Sequence, residues 1–183
     1  GMLLHLEEVT AKKSYEHSLR RRADHDQMTG LLNRSTFQTT YEAMPASNRV
    51  MTLIDADDFK RVNDTHGHHS GDMVIKTLAK RFNAAKYKTC ITGRLGGEEF
   101  GIACYNMSEE DAIVLAEKIR RSISDDPIEI QDGQTIPLTI SVGVAFDNDG
   151  SKPFDQIRNE ADTALYQAKG HKKNRVEVYR KQI

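Results

Sequence analysis

The alternation of apolar and polar positions divides the chain into elements before any chemistry is considered. Residues 49–54 (RVMTLI) are apolar and β-branched enough for a buried strand, which ends directly on Asp55. Residues 90–92 and 100–104 read as two strands of a hairpin around Gly96 and Gly97, where a tight turn calls for positive φ. A two-residue turn at those glycines sets Leu95 opposite Glu98 and Arg94 opposite Glu99. Residues 127–130 and 135–146 (TIPLTISVGVAF) give two more strands, joined by an Asp132-Gly133 turn, the second apolar enough to be central. Helical spacing is predicted over 2–23, about 35–41 with Ser35 as N-cap, 73–85, 108–124 and 153–169. In the fourth of these, Ser108 and Asp111 form a capping-box variant. Residues 66–72 read as a loop. The order β-α-β-β-α-β plus additions predicts an α/β (α+β) fold, a sandwich of ferredoxin-like type with helices packed on a mostly antiparallel sheet.

Size and charge narrow the picture. With 183 residues and 38% hydrophobic content, the chain suits one domain over 24–183, preceded by a helical arm over 1–23. The arm holds an i, i+3 apolar pattern at first (Leu3, Leu4, Leu6, Val9) and thins towards Tyr15 and Leu19, which fits either a coiled-coil seam or a solvated helix. A net charge of −1 supplies no global basic field, which argues against nucleic acid and against membrane contact by this fragment. Phosphate binding therefore has to come from a local site. The Arg20-Arg21-Arg22 run is read as complementing a helix dipole. Cys90 and Cys104 lack CxxC or Cys/His spacing and are expected as buried thiols rather than a zinc site or a disulfide, in keeping with a reducing cytoplasmic setting. No apolar run reaches the ~20 residues of a membrane span, and no signal peptide is visible. Gly1 before Met2 resembles a residue left by tag removal, which implies that this is a piece of something longer.

The candidate chemistry is carried by acids at strand ends. Adjacent Glu98 and Glu99 repel each other, form strands poorly and should face opposite ways, so one can meet a metal while the other pairs with Arg94 or meets substrate. An ordinary charged hairpin tip accounts for the same residues. Asp55 closes an apolar strand, where an unpaired charge is costly. Asp57 and Asp58 also fit a helix start favoured by the dipole. Lys60, Asn63 and Asp64 share one face of the following turn. His66, His68 and His69 lack zinc spacing and are read as capping or hydrogen-bonding groups. The basic stretch from Lys169 through Lys173 to Arg180 suits a helix C-terminus and also a phosphate clamp. Neither GxxxxGK[ST] nor GxGxxG after a strand is present, so the standard mononucleotide and dinucleotide folds are disfavoured.

Six segments in order resemble the GGDEF family of diguanylate cyclases, in its GGEEF variant. Residues 26–34 (DQMTGLLNR) are similar to its DxLTGLxNR motif, 55–64 to DxDxFKxxND, 68–72 to HxxGD, 94–100 to RxGGEEF, 141–143 to SVG, and 161–169 to the closing ADxALYxAK helix. The resemblance implies a palm-type sheet like that of nucleotidyl cyclases, which binds one GTP with Mg²⁺, or Mn²⁺ in its place. Two subunits of a homodimer would condense two GTP into cyclic di-GMP under the control of an upstream sensor domain. By position, Asp55 and Glu98 would be metal ligands, with the carbonyl of Ala56. Asn63 and Asp72 would grip guanine beside Phe59, and Lys60, Lys169 and Lys173 would hold the triphosphate. Glu99 would assist at the 3′ hydroxyl or pair with Arg94. Lys173 departs from the arginine common there and loses its bidentate fork. Tyr87-Lys88-Thr89-Cys90 stands where many members carry RxxD, so no inhibitory product site is expected. The alternative is a catalytically silent GTP-binding or dimerisation module of the same fold.

Overall fold

Strand β1 (Arg49–Ala56) lies at the centre of the sheet because its residues are apolar towards both faces, and almost all of it is buried. In the computed structural model, which describes residues 2–181 without the side chains of His17, Arg20, Arg21 and Arg22, β1 pairs antiparallel with β3 (Glu99–Cys104) and β6 (Ile140–Asp147). The expectations for Gly1 and for the three arginines lie outside what is described. β2 (Cys90–Arg94) pairs antiparallel outside β3, and β7 (Val176–Val178) runs parallel outside β6, giving the order β2-β3-β1-β6-β7. Helices α3 (Phe59–Ala85) and α4 (Glu109–Ser124) cover one face, with Val50, Ile54, Phe100 and Ile102 beneath them. On the other face α2 (Arg34–Glu42) and α5 (Phe154–Gly170) pack over Met51, Leu53 and Ala103. This is the expected sandwich of helices on a mostly antiparallel sheet, here with helices on both faces. The arm is helix α1 (Met2–Asp24), whose Leu3, Leu4, Leu6 and Tyr15 stay exposed. No helix among the described residues is long and apolar enough to cross a membrane.

Five details differ from expectation. Asn33, not Ser35, caps α2, its side chain accepting from the Thr36 amide at 3.0 Å. Residues 66–72 are not a loop, because α3 continues through them with a kink at Gly67 (φ 85°, ψ 162°), a conformation open to glycine. The 135–146 run divides at Pro137, which has no N–H to give a ladder, into β5 (Thr135–Ile136) and β6, and β5 pairs with β4 (Ile128–Glu129) in a separate hairpin. The short strand β7 was not foreseen at all.

The last difference concerns the hairpin register. Arg94 stands opposite Phe100, one residue away from the Gly-Gly register, and neither Gly96 nor Gly97 takes a positive φ. That single step places Cys90 directly opposite Cys104, where the expected register would have put them on opposite faces. The two are joined as a disulfide, so they are not buried thiols, and the thiol argument for a reducing compartment falls away.

Candidate active site

Strand pairing alone brings two of the acids together. Asp55 and Glu99 are directly opposed across β1 and β3, so their side chains share the face covered by α5. From α5, Lys169 Nζ reaches Asp55 Oδ2 at 3.0 Å, and Arg158 Nη2 donates to Glu99 Oε1 at 3.4 Å. Glu98 follows on the tip, its carbonyl accepting from the Ala56 amide at 3.4 Å. Burial raises the Asp55 carboxyl above its ordinary value, the Lys169 ammonium opposes that rise, and the charges of Glu98 and Glu99 add to it. Asp55, Glu98 and Glu99 are thus close enough to feel one another. Among the described residues no group of three His, Cys, Asp or Glu is arranged to hold a metal unaided.

Arg94 does not pair with Glu99. It donates from Nε and Nη2 to the carbonyls of Gly96 and Gly97, the shortest at 2.8 Å, and from Nη1 to Asp26 at 3.2 Å. The register explains this: with Arg94 opposite Phe100, its side chain leaves the sheet on the α3 face, while Glu99 lies on the α5 face. Asp26 in turn accepts from the amide and hydroxyl of Thr29. Burial works against ionisation of Asp26, but the Thr29 hydrogen bonds and the Arg94 charge outweigh it and hold the carboxyl below its ordinary value. The 26–34 segment is therefore latched to the tip that carries Glu98.

Asp57 and Asp58 begin α3 without capping it. Asp57 is buried, and its carboxylate accepts from Thr139 Oγ1 (2.6 Å), Ser141 Oγ (2.7 Å) and the Asn174 amide (3.1 Å). Asp58, at φ 55°, offers no side-chain cap and instead pairs with Lys173 at 2.6 Å. The hydrogen bond from Lys173 lowers the Asp58 pKa. Lys172, Lys173 and Asn174 all have positive φ, an unusual run for residues with side chains, and the Asp57–Asn174 bond holds that turn in place. Lys60 sits exposed on the first turn of α3, with no ion pair among the described residues.

The kink assembles a second group. It folds the first half of α3 against the second, so a Cβ on Gly71 would overlap the Asn63 amide and touch the Phe59 ring. Asn63 and Phe59 are thereby brought against Gly71, and Asp72 is the next residue of the chain. Tyr87, Lys88 and Thr89 lie at the far end of β2 from the tip. Cys90 is 3% exposed and its sulfur is engaged by Cys104. Sequence reasoning missed Arg158, Asp57 as a buried anchor, and the Asp26 latch. Arg158 carries no local signal, since only the packing of α5 on β3 brings it to Glu99.

Comparison with known proteins agrees with this fold. Residues 23–175 match the family model described as "Diguanylate cyclase, GGDEF domain". The chain belongs to the GGDEF family. It is 37% identical over 183 residues to the diguanylate cyclase DgcM of Escherichia coli (96% of this chain, 43% of the relative), and 40% identical over 124 residues to diguanylate cyclase A of Treponema denticola (68% and 33%). It thus spans less than half the length of these curated relatives. Among solved structures it is similar to the coiled coil and GGDEF domain of DgcB from Caulobacter crescentus in complex with c-di-GMP, with a TM-score of 0.88 and 26% identity over 97% of this chain and 96% of that one. The active GGEEF domain of a diguanylate cyclase from Vibrio cholerae aligns with a TM-score of 0.74 and 32% identity, over 83% and 99% of the two chains.

Proposed function

We propose that this chain is a diguanylate cyclase, which condenses two GTP into cyclic di-GMP and two pyrophosphates, each subunit of a homodimer holding one GTP. The observation that carries the reading is the meeting of Asp55, Glu98 and Glu99 beside Lys169, with Asn63 packed against Gly71 one short helical segment away. Asp55, Glu98 and the Ala56 carbonyl form an all-oxygen set that fits Mg²⁺ or Mn²⁺, and the repulsion among the acids favours a cation there. When bound, that cation supplies charge neutralisation at the phosphates and acidity at the attacking 3′ hydroxyl.

The chain's own residues do the positioning that phosphoryl transfer requires. Lys60, Lys169 and Lys173 bind the triphosphate, and two of them exchange their ion pairs with Asp55 and Asp58 for phosphate oxygens. Asp72 accepts from the ring N–H and amino group of guanine, which adenine presents differently, Asn63 donates to and accepts from the same base, and Phe59 packs beside it. Glu99, held by Arg158, lies on the Asp55 side of the sheet, where it can take the proton of the 3′ hydroxyl. That hydroxyl comes from the GTP of the second subunit, and α1 is placed to carry the geometry of an upstream sensor into the pair. Consumption of GTP implies a cytoplasmic setting.

Incubation with GTP and Mg²⁺ followed by mass spectrometry tests the proposal. Cyclic di-GMP should form, ATP should yield little product, and folded Asp55→Ala and Glu98→Ala variants should make none. Absence of product from the wild type, or near-normal turnover by either variant, would refute it.

A further inference from the structure

A cavity of about 470 Å³ opens between the 25–32 segment, α3 and the edge strand β2, and it shares no residue with the groups described above as holding nucleotide or metal. Its lining contains Lys76, Lys80 and Lys86 and no carboxylate. Lys76, Lys80 and Asn83 recur at i, i+4 and i+7, so they project from one face of α3. The protein as a whole carries a charge of −1, so three ammonium groups around one cavity are a local feature rather than an average one. Neither Lys76 nor Lys80 has an ion-pair partner among the described residues, while Lys86 spends one proton on the Cys90 carbonyl at 3.3 Å.

The floor supplies an independent sign. Thr92 lines the same cavity, is 4% exposed, and its hydroxyl is buried without any hydrogen-bond partner. Alternation along β2 turns Thr92 to the side of Cys90 and Arg94, which is the α3 side. Buried hydroxyls are nearly always paired, so an orphan facing a cationic cavity points to an acceptor that belongs there.

We infer that this cavity is an accessory binding site for a small phosphate-bearing anion, separate from the proposed cyclase centre. Lys76, Lys80 and Lys86 neutralise its charge, and Thr92 and Asn83 donate hydrogen bonds. Ammonium, hydroxyl and amide donors converge from two elements, which a phosphate satisfies with several oxygens in different directions and a carboxylate cannot match as well. The volume accommodates either a free oligophosphate or the phosphate end of a nucleotide. The site stands whether or not the chain makes cyclic di-GMP.

Calorimetry on a Lys60→Ala/Lys169→Ala/Lys173→Ala protein, without magnesium, removes the competing lysines from the measurement. Inorganic pyrophosphate should bind once per chain, and adding Lys76→Ala/Lys80→Ala should weaken it about tenfold or more. Thr92→Val should weaken it by a smaller factor while raising the melting temperature of the ligand-free protein, because the orphan hydroxyl is gone. Adenosine diphosphate in a parallel arm separates the sources: equal affinity assigns the site to phosphate alone, and markedly tighter binding assigns it to a nucleotide. No binding by either probe at millimolar concentration, or binding indifferent to both the lysine and the threonine changes, overturns the inference.

Discussion

Replacing Asp57 with alanine should unfasten the site without touching any residue proposed to meet substrate. Its carboxylate accepts three hydrogen bonds, from Thr139, Ser141 and the Asn174 amide, at 2.6 to 3.1 Å. Each buried donor left without a partner costs about 1–3 kcal/mol, and the two hydroxyls can turn towards other acceptors, so the net loss should be about 2–4 kcal/mol. For a domain of this size that corresponds to a fall in Tm of roughly 5–15 °C. Asp57→Asn keeps one good acceptor and should fall in between. Thermal unfolding measures the first effect, and hydrogen exchange measures the second: the Asn174 amide should lose protection while Ala112, in the first turn of α4, keeps it. A loss under ~1 kcal/mol, or unchanged exchange at Asn174, would show that the anchor does not hold the 172–174 turn.

The other expectations use the same geometry. The Asp55 carboxyl is raised by burial, so the folded protein holds that proton more tightly than the unfolded chain does, and metal-free stability should decline as pH rises through its folded value. Asp55→Asn should lack that decline and gain about 0.5–2 kcal/mol at neutral pH; parallel pH profiles of Tm for the two proteins would count against it. Gly71→Ala should displace the Asn63 side chain and weaken GTP binding about tenfold with little change in Tm, whereas unchanged affinity would separate Asn63 from the base. Activity per subunit should rise with protein concentration, since α1 leaves Leu3, Leu4 and Leu6 for a second copy to cover; a flat rate from a monomeric protein would rule out the dimer. Cyclic di-GMP should not bind tightly at residues 87–90, where Cys90 is buried and bonded to Cys104. Calorimetry on Asp55→Ala that finds tight binding abolished by Lys88→Ala would reverse this.

Much of this arrangement was legible in the chain because it follows from local rules. The apolar run into Asp55 read as a buried strand with an acid at its end, which β1 is, and Ser108 with Asp111 marked the start of α4, where the Asp111 amide does bond to the Ser108 hydroxyl. What failed depended on distant contacts. Adjacent glycines do not set a loop length; here Arg94 clamps the tip carbonyls, and the ladder closes one residue away from the simplest turn. The cysteine pairing was hidden by the same step, since strand partners are known only once the register is. Glycines at 67 and 71 read as a loop, although one of them absorbs the whole bend and the other makes room for Asn63. Three-residue β7 is too short for any period to show.

The bend at Gly67 has a thermodynamic corollary. Asp55 and Ala56 lie just before the first half of α3, Asn63 lies on it, and Asp72 lies just beyond the bend, so a rod of about two turns joins the proposed cation ligands to the proposed base readers. Fixing either end of such a rod removes freedom from the other, which makes the two binding events favour each other. The factor must be the same in both directions: whatever the cation adds to the affinity for guanine nucleotide, guanine nucleotide adds to the affinity for the cation. A triphosphate without its base would lack that contribution, so base identity would be felt as tightness of metal binding as well as of nucleotide binding.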